Sequence, residues 1–171
     1  VIVTTDWVAE HLDDPTIVIA EVDADLDADY AQGHVPGAVG WGLHTDMEDS
    51  VRRDIPGVAQ IEDLLGRSGI GNDTTVVLYG DGNNRSATWA FWVLKYYRHG
   101  DARLMDGGRT RWLAEGRPLS TETPEPTAAT YRAQAPDRSV RATRQHVLDS
   151  LGRPGVKLLD TRTAEEYAGT H

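Results

Sequence analysis

Two short runs dense in β-branched residues constrain the fold more than anything else in the chain: residues 16–23 (TIVIAEVD) and 73–80 (DTTVVLYG). They are apolar on successive positions rather than alternate ones. That pattern reads as strands buried on both faces, the mark of a parallel sheet. Parallel neighbours need long crossovers, and the intervening stretches supply them as helices. These are TTDWVAEHLDD, with Thr5 or Asp6 expected at its N-cap, VAQIEDLLGRSG, and ATWAFWVLKYYRHG. A third, weaker strand is expected in DARLMDGG, and Gly66, Gly69 and Gly100 stand where helices should end. The alternation predicts an α/β fold, a doubly wound parallel sheet flanked by helices.

From Pro118 the pattern breaks. PLSTETPEPTAATYRAQAPDRS carries no helical or strand period and reads as an extended linker. Beyond it a helix, a turn and an apolar strand are expected in VRATRQHVLDSLGRPGVKLLDTRTAEEY. This resumption is a repeat. Val3 matches Val140, Val22-Asp23 matches Leu159-Asp160, and Tyr30 matches Tyr167, all at one spacing of 137 positions. The expected organisation is a whole domain over residues 1–123, a linker over 124–139, and the opening of a second domain over 140–171. Because the chain begins at Val1 rather than Met, it reads as a processed chain or a fragment.

Composition narrows the function. The chain of 171 residues is 39% hydrophobic and 26% charged, which reads as a globular domain with a good core. It shows neither a membrane-length apolar run nor a secretory leader, so a cytoplasmic location is expected. A net charge of −10 argues against nucleic acid or an anionic membrane as partner. It leaves room for a small anion, which responds to the local field of its cleft. There is no cysteine, which removes disulfides, thiolate metal sites and a cysteine nucleophile from these residues.

Several motifs fail on inspection. Gly80-Asp81-Gly82 follows a strand and precedes a helix, but the third glycine of a dinucleotide fingerprint is replaced by Arg85. The acidic stretch from Asp23 to His34 lacks the glycine and glutamate of a calcium loop. Six histidines show no metal-ligand spacing, so no metal and no cofactor is expected. Two glycosylation sequons, at Asn72 and Asn84, read as turn and capping residues. Trp89, Phe91, Trp92, Tyr96 and Tyr97 crowd one helix and read as core, with Trp7 and Trp112 in the same packing.

Three pieces in order are more specific: YAQGHVPGAV, the loop YGDGNNRSA, and LMDGGRTRWLAEGRP. Through Gly33-His34-Val35-Pro36-Gly37-Ala38, GIGNDTTVVLYGDGNN, and Asp106-Gly107-Gly108 with Trp112 and EGRP, the chain resembles the rhodaneses, specifically the tandem-domain thiosulfate sulfurtransferases. The start of the second copy, LLDTRTAEEYAG, is similar to the entry of that family's catalytic domain through Asp160, Arg162, Glu166 and Tyr167.

The resemblance implies a sulfur-transfer cycle run from the second domain. A loop cysteine takes the outer sulfur of thiosulfate, becomes a persulfide, and passes sulfur to cyanide or another thiophile. Its position in the first copy falls on Tyr79 or Gly80, neither of which can form a persulfide. Tyr79, Gly80, Asp81, Gly82 and Asn83 are thus expected as an inactive loop, with no catalytic residue in this chain. Asn84, Arg85 and Ser86 match positions that face the substrate in relatives, where aromatic residues stand. Arg85 is set against the anionic donor, the alternative being an exposed arginine with no specific task. Leu26 is a further cleft candidate. The expected partners are the sulfur donor, the acceptor and the protein's own C-terminal domain. Mercaptopyruvate as donor and a non-catalytic binding or regulatory module are the alternatives.

Overall fold

The structure is a computed structural model describing residues 1–170; His171, the last residue of the expected second copy, lies outside the described residues. The chain forms two compact units that part between Asp137 and Arg138. In the first, five strands pair in parallel in the order β1-β5-β4-β2-β3. They are β1 (Ile2–Val3), β2 (Ile17–Asp23), β3 (Val39–Gly42), β4 (Thr75–Tyr79) and β5 (Asp101–Met105). The crossover helices are α1 (Thr5–Glu10), α2 (Val58–Arg67) and α3 (Asp81–Tyr96), and α4 (Gly108–Ala114) follows the last strand.

Period-two alternation within β4 divides the interior. Val76 and Leu78 enter one core with Ile61, Leu64 and Leu65 of α2 and Ala87, Ala90, Val93 and Leu94 of α3. Val77 and Tyr79 enter the other with Val8 of α1, Trp112 of α4, Val35 and Met105. A strand with a core on each face must be apolar at every position, which is why the run reads as it does.

Local details correct the sequence reading. The N-cap of α1 is Thr4, whose hydroxyl accepts from the Trp7 amide, in place of Thr5 or Asp6. Gly66 lies inside α2, whose C-cap is Ser68, while Gly69 ends the helix as expected: it is left-handed (φ 76°), and its amide and that of Ile70 bond back to Gly66 and Leu65. After α3 the left-handed residue is Arg98 (φ 57°), three positions before β5 begins, so Gly100 caps nothing. Trp112 is buried and Trp7 half-buried in the α1–α4 core, on the opposite face of the sheet from the α3 aromatics.

Residues 118–137 form no helix and almost no ladder, yet they are held along their length. Ser120 and His34 exchange both backbone bonds at 2.8 Å. The Ala129 amide donates to Gly66, the Asn72 side chain bonds both N–H and C=O of Arg132, and the Asp137 amide donates to Tyr96. Tyr131 is 2% exposed within the α2–α3 core. The first unit therefore extends through this strap, past the domain boundary expected at residue 123.

The second unit holds a 3-10 turn at Arg138–Val140 and two helices, α5 (Arg144–Ser150) and α6 (Ala164–Ala168). Thr143 caps the first, and Thr163 with Glu166 forms a capping box on the second. The apolar strand expected between them is absent: residues 156–160 have no regular structure, and Leu159 is 87% exposed. A strand exists only by pairing its backbone groups with a neighbour, and among the described residues no strand pairs with these.

Candidate functional site

Ligand clefts of parallel sheets open at the carboxyl ends of the strands. Here β4 delivers Tyr79 to that end and β2 delivers Glu21 and Asp23, with Glu21 opposite Tyr79 in the register. Glu21 is fully buried. Its two oxygens take a short hydrogen bond from the Tyr79 hydroxyl and an ion pair with Arg109 of α4 at 2.5 Å. The Tyr79 oxygen in turn accepts from the Val35 amide at 2.8 Å, and Arg109 also reaches the Asp29 carbonyl at 3.3 Å. Burial pushes the Glu21 carboxyl up to about 7, against the pull of its hydrogen bond from Tyr79 and of Arg109. The same burial, with Glu21 beside it, drives the Tyr79 phenol well above its usual range. Sequence reasoning missed Glu21 and Arg109, although a carboxylate inside an apolar strand is a legible anomaly.

The loop beyond β4 is folded on its own side chains. Gly82, Asn83 and Asn84 are left-handed in succession (φ 53°, 59° and 64°), a turn open to glycine and asparagine. That turn aims the Asn84 side chain inward. Its Oδ1 accepts from the Gly80 amide at 3.1 Å, and its Nδ2 donates to the Met105 carbonyl at 2.7 Å. Next to it the Asp81 amide donates to Asp23 Oδ1 at 3.0 Å. Asp23 is 2% exposed, and its Oδ2 has no hydrogen-bond partner among the described residues. Burial raises its carboxyl above the ordinary range in spite of the bond from Asp81.

Two glycines fit this arrangement tightly. A Cβ on Gly80 would overlap the Val22 carbonyl oxygen. One on Gly108 would overlap Asn84 Oδ1 and stand 2.8 Å from the Gly80 carbonyl. Position 80 therefore accepts no side chain, and its amide is already bonded.

The other loop residues separate. Tyr79 is buried in the Glu21 network, while Asp81, Gly82 and Asn83 are exposed. Of the three substrate-facing candidates, Asn84 is buried in the loop, Ser86 is half-buried and Arg85 is exposed. Arg85 lines a hollow of about 430 Å³ with Leu43, Glu48, Thr88, Trp89 and Trp92. Leu26 lies elsewhere, lining a cavity of about 190 Å³ with Tyr30, Val39 and Pro126. Both sequon asparagines are occupied structurally, Asn72 on the strap and Asn84 in the loop.

Comparison with known proteins adds to this geometry. The family model for the rhodanese-like domain matches residues 4–115. A Saccharopolyspora erythraea protein bearing the name thiosulfate sulfurtransferase is 45% identical over 169 residues, covering 99% of this chain and 59% of that protein. A Thermus thermophilus protein named sulfur carrier protein TtuD is 47% identical over 174 residues, covering 99% and 60%. The chain thus spans about 60% of the length of the curated relatives it matches. The crystal structure of SseA from Escherichia coli, described as a 3-mercaptopyruvate sulfotransferase, superposes with a TM-score of 0.82 at 23% identity, covering 97% of this chain and 67% of that one.

Proposed function

The chain belongs to the rhodanese-like family, and on that premise we propose that it is the N-terminal, non-catalytic part of a thiosulfate sulfurtransferase. The observation that carries this reading is the state of position 80. The loop has the place of a sulfur cradle, after the central strand and before a helix, yet it holds no thiol. Its first amides are taken by Asn84 and Asp23, and a side chain at Gly80 would meet the Val22 carbonyl.

Chemistry then falls to a cysteine in a second domain that begins near residue 140. Its thiolate attacks the outer sulfur of thiosulfate, the S–S bond breaks, and sulfite leaves with the bonding pair. Cyanide next attacks the outer sulfur of the persulfide, giving thiocyanate and returning the thiolate. The name of the Thermus thermophilus relative, a sulfur carrier, supports a cycle in which sulfur rests on the protein between donor and acceptor. In this reading exposed Arg85 offers a guanidinium to the anionic donor. No helix among the described residues is long and apolar enough to cross a membrane.

The test is thiocyanate formation. Full-length protein should produce it from thiosulfate and cyanide, the 171-residue chain alone should not, and Arg85→Ala in the full-length protein should raise KM for thiosulfate. A full-length protein that forms none would instead be a binding module.

A further inference from the structure

The hollow beside Arg85 is more than a rim of the loop. Trp89 and Trp92 lie with ring centroids 5.2 Å apart and planes inclined at 39°. Trp89 is fixed by its Nε1 bond to the Met47 carbonyl at 2.8 Å, and Trp92 by stacking on Tyr96 at 5.9 Å. Both indoles are only half-buried, so ring surface held by the core is left facing solvent. Leu43 and the exposed Thr88 complete the wall. Two charged groups border it. Glu48 is engaged with His44 Nδ1 at 2.9 Å, whereas Arg85 has no carboxylate within ion-pair distance among the described residues. At about 430 Å³ the space is of the size that holds small organic molecules.

We propose that this hollow is a binding site for a small organic anion with a flat apolar body, the body lying on Trp89 and Trp92 and the anionic group on Arg85. Charge decides the sign of the ligand. The cation is the accessible one of the two, since Arg85 is exposed while the Glu48 side chain is only 16% exposed, and a guanidinium meets a carboxylate or sulfonate through two parallel N–H bonds. The apolar ring is what an inorganic anion lacks and the indole faces reward. The inference takes from the proposed function only the assignment of Arg85 to an anion.

The test uses the 171-residue chain, which needs no catalysis. Benzenesulfonate, benzyl alcohol and thiosulfate are titrated in turn while the indole and Arg85 side-chain N–H resonances are followed by NMR. Benzenesulfonate should bind saturably, at least about tenfold more tightly than either of the others, each of which lacks one half of the interaction. Arg85→Gln should bring it down to the level of the alcohol, and Thr88→Trp, which fills the hollow from an exposed position, should abolish binding. Equal affinity for benzyl alcohol, or no saturable binding, overturns the proposal. Thiosulfate binding that depends on Arg85 without any gain for benzenesulfonate overturns the organic ligand while sparing Arg85's place in the sulfur-transfer reading. Indifference of every ligand to Arg85→Gln overturns the proposal, and self-association that covers the two indoles assigns the surface to a second copy instead.

Discussion

Gly80 concentrates the constraints on this site into one residue. A methyl group there would press on the Val22 carbonyl, within strands whose register is set on both sides. Gly80→Ala should therefore cost about 1–3 kcal/mol in chemical denaturation, as overpacking does. Gly80→Cys in the 171-residue chain should be no less costly and should yield no thiocyanate. Asn84→Ala removes the partner of the buried Gly80 amide and of the Met105 carbonyl. Its cost should be roughly 2–4 kcal/mol, the penalty for two buried groups left unpaired. Glu21 makes a prediction with a sign. Its folded pKa of about 7 lies above the ordinary 4.5, so the folded state binds the proton more tightly. The resulting stability is complete below the ordinary value and is lost as pH rises through about 7, on the order of 3 kcal/mol in all. Denaturation of Glu21→Gln at about pH 5 and about pH 8 should show that slope flattened relative to the parent.

At the level of elements, what the sequence makes legible is what single segments decide. β2, β4 and α2 follow from β-branched runs and a helical period and lie where these predict them, whereas α3 starts at Asp81, ahead of the expected Ala87, and ends at Tyr96, short of Gly100. The α1 cap shifted by a residue because Thr4, Thr5 and Asp6 all offer a capping oxygen, and only the chain direction selects Thr4. The Glu21–Tyr79 and Glu21–Arg109 contacts join residues 58 and 88 positions apart, which no local pattern reveals. Likewise the strap looks like a linker because its attachments to His34, Gly66, Asn72 and Tyr96 are made by partners remote in sequence. The exit from α3 offers a test of a misread cap. Arg98 takes a left-handed conformation that favours glycine, and its ion pair with Asp137 is long at 3.6 Å and exposed. Arg98→Gly should raise stability by about 0.5–1 kcal/mol, read as a higher Tm.

For the molecule as a whole, the strap decides where the first unit can be cut. A chain ending at residue 137 should unfold cooperatively with the parent's midpoint for that unit. One ending at residue 123 exposes the pocket of Tyr131 and frees the backbone bonds at Gly66 and Tyr96. It should lose at least about 3 kcal/mol, the burial of one large side chain plus hydrogen bonds. Residues 138–170, with Leu148, Leu151, Leu158 and Leu159 exposed, should exchange their amide hydrogens far faster than β4. The loop at Gly80 behaves in the opposite way, because Asn84 sits in it as a permanent guest. A receptor whose occupant is covalently its own has nothing to gain from solution: it cannot be emptied by dialysis, competed by salt or trained onto a new anion by raising its concentration. The Gly80 and Asp81 amide resonances should therefore stay fixed through a titration with sulfate or thiosulfate, however the surface around Arg85 responds.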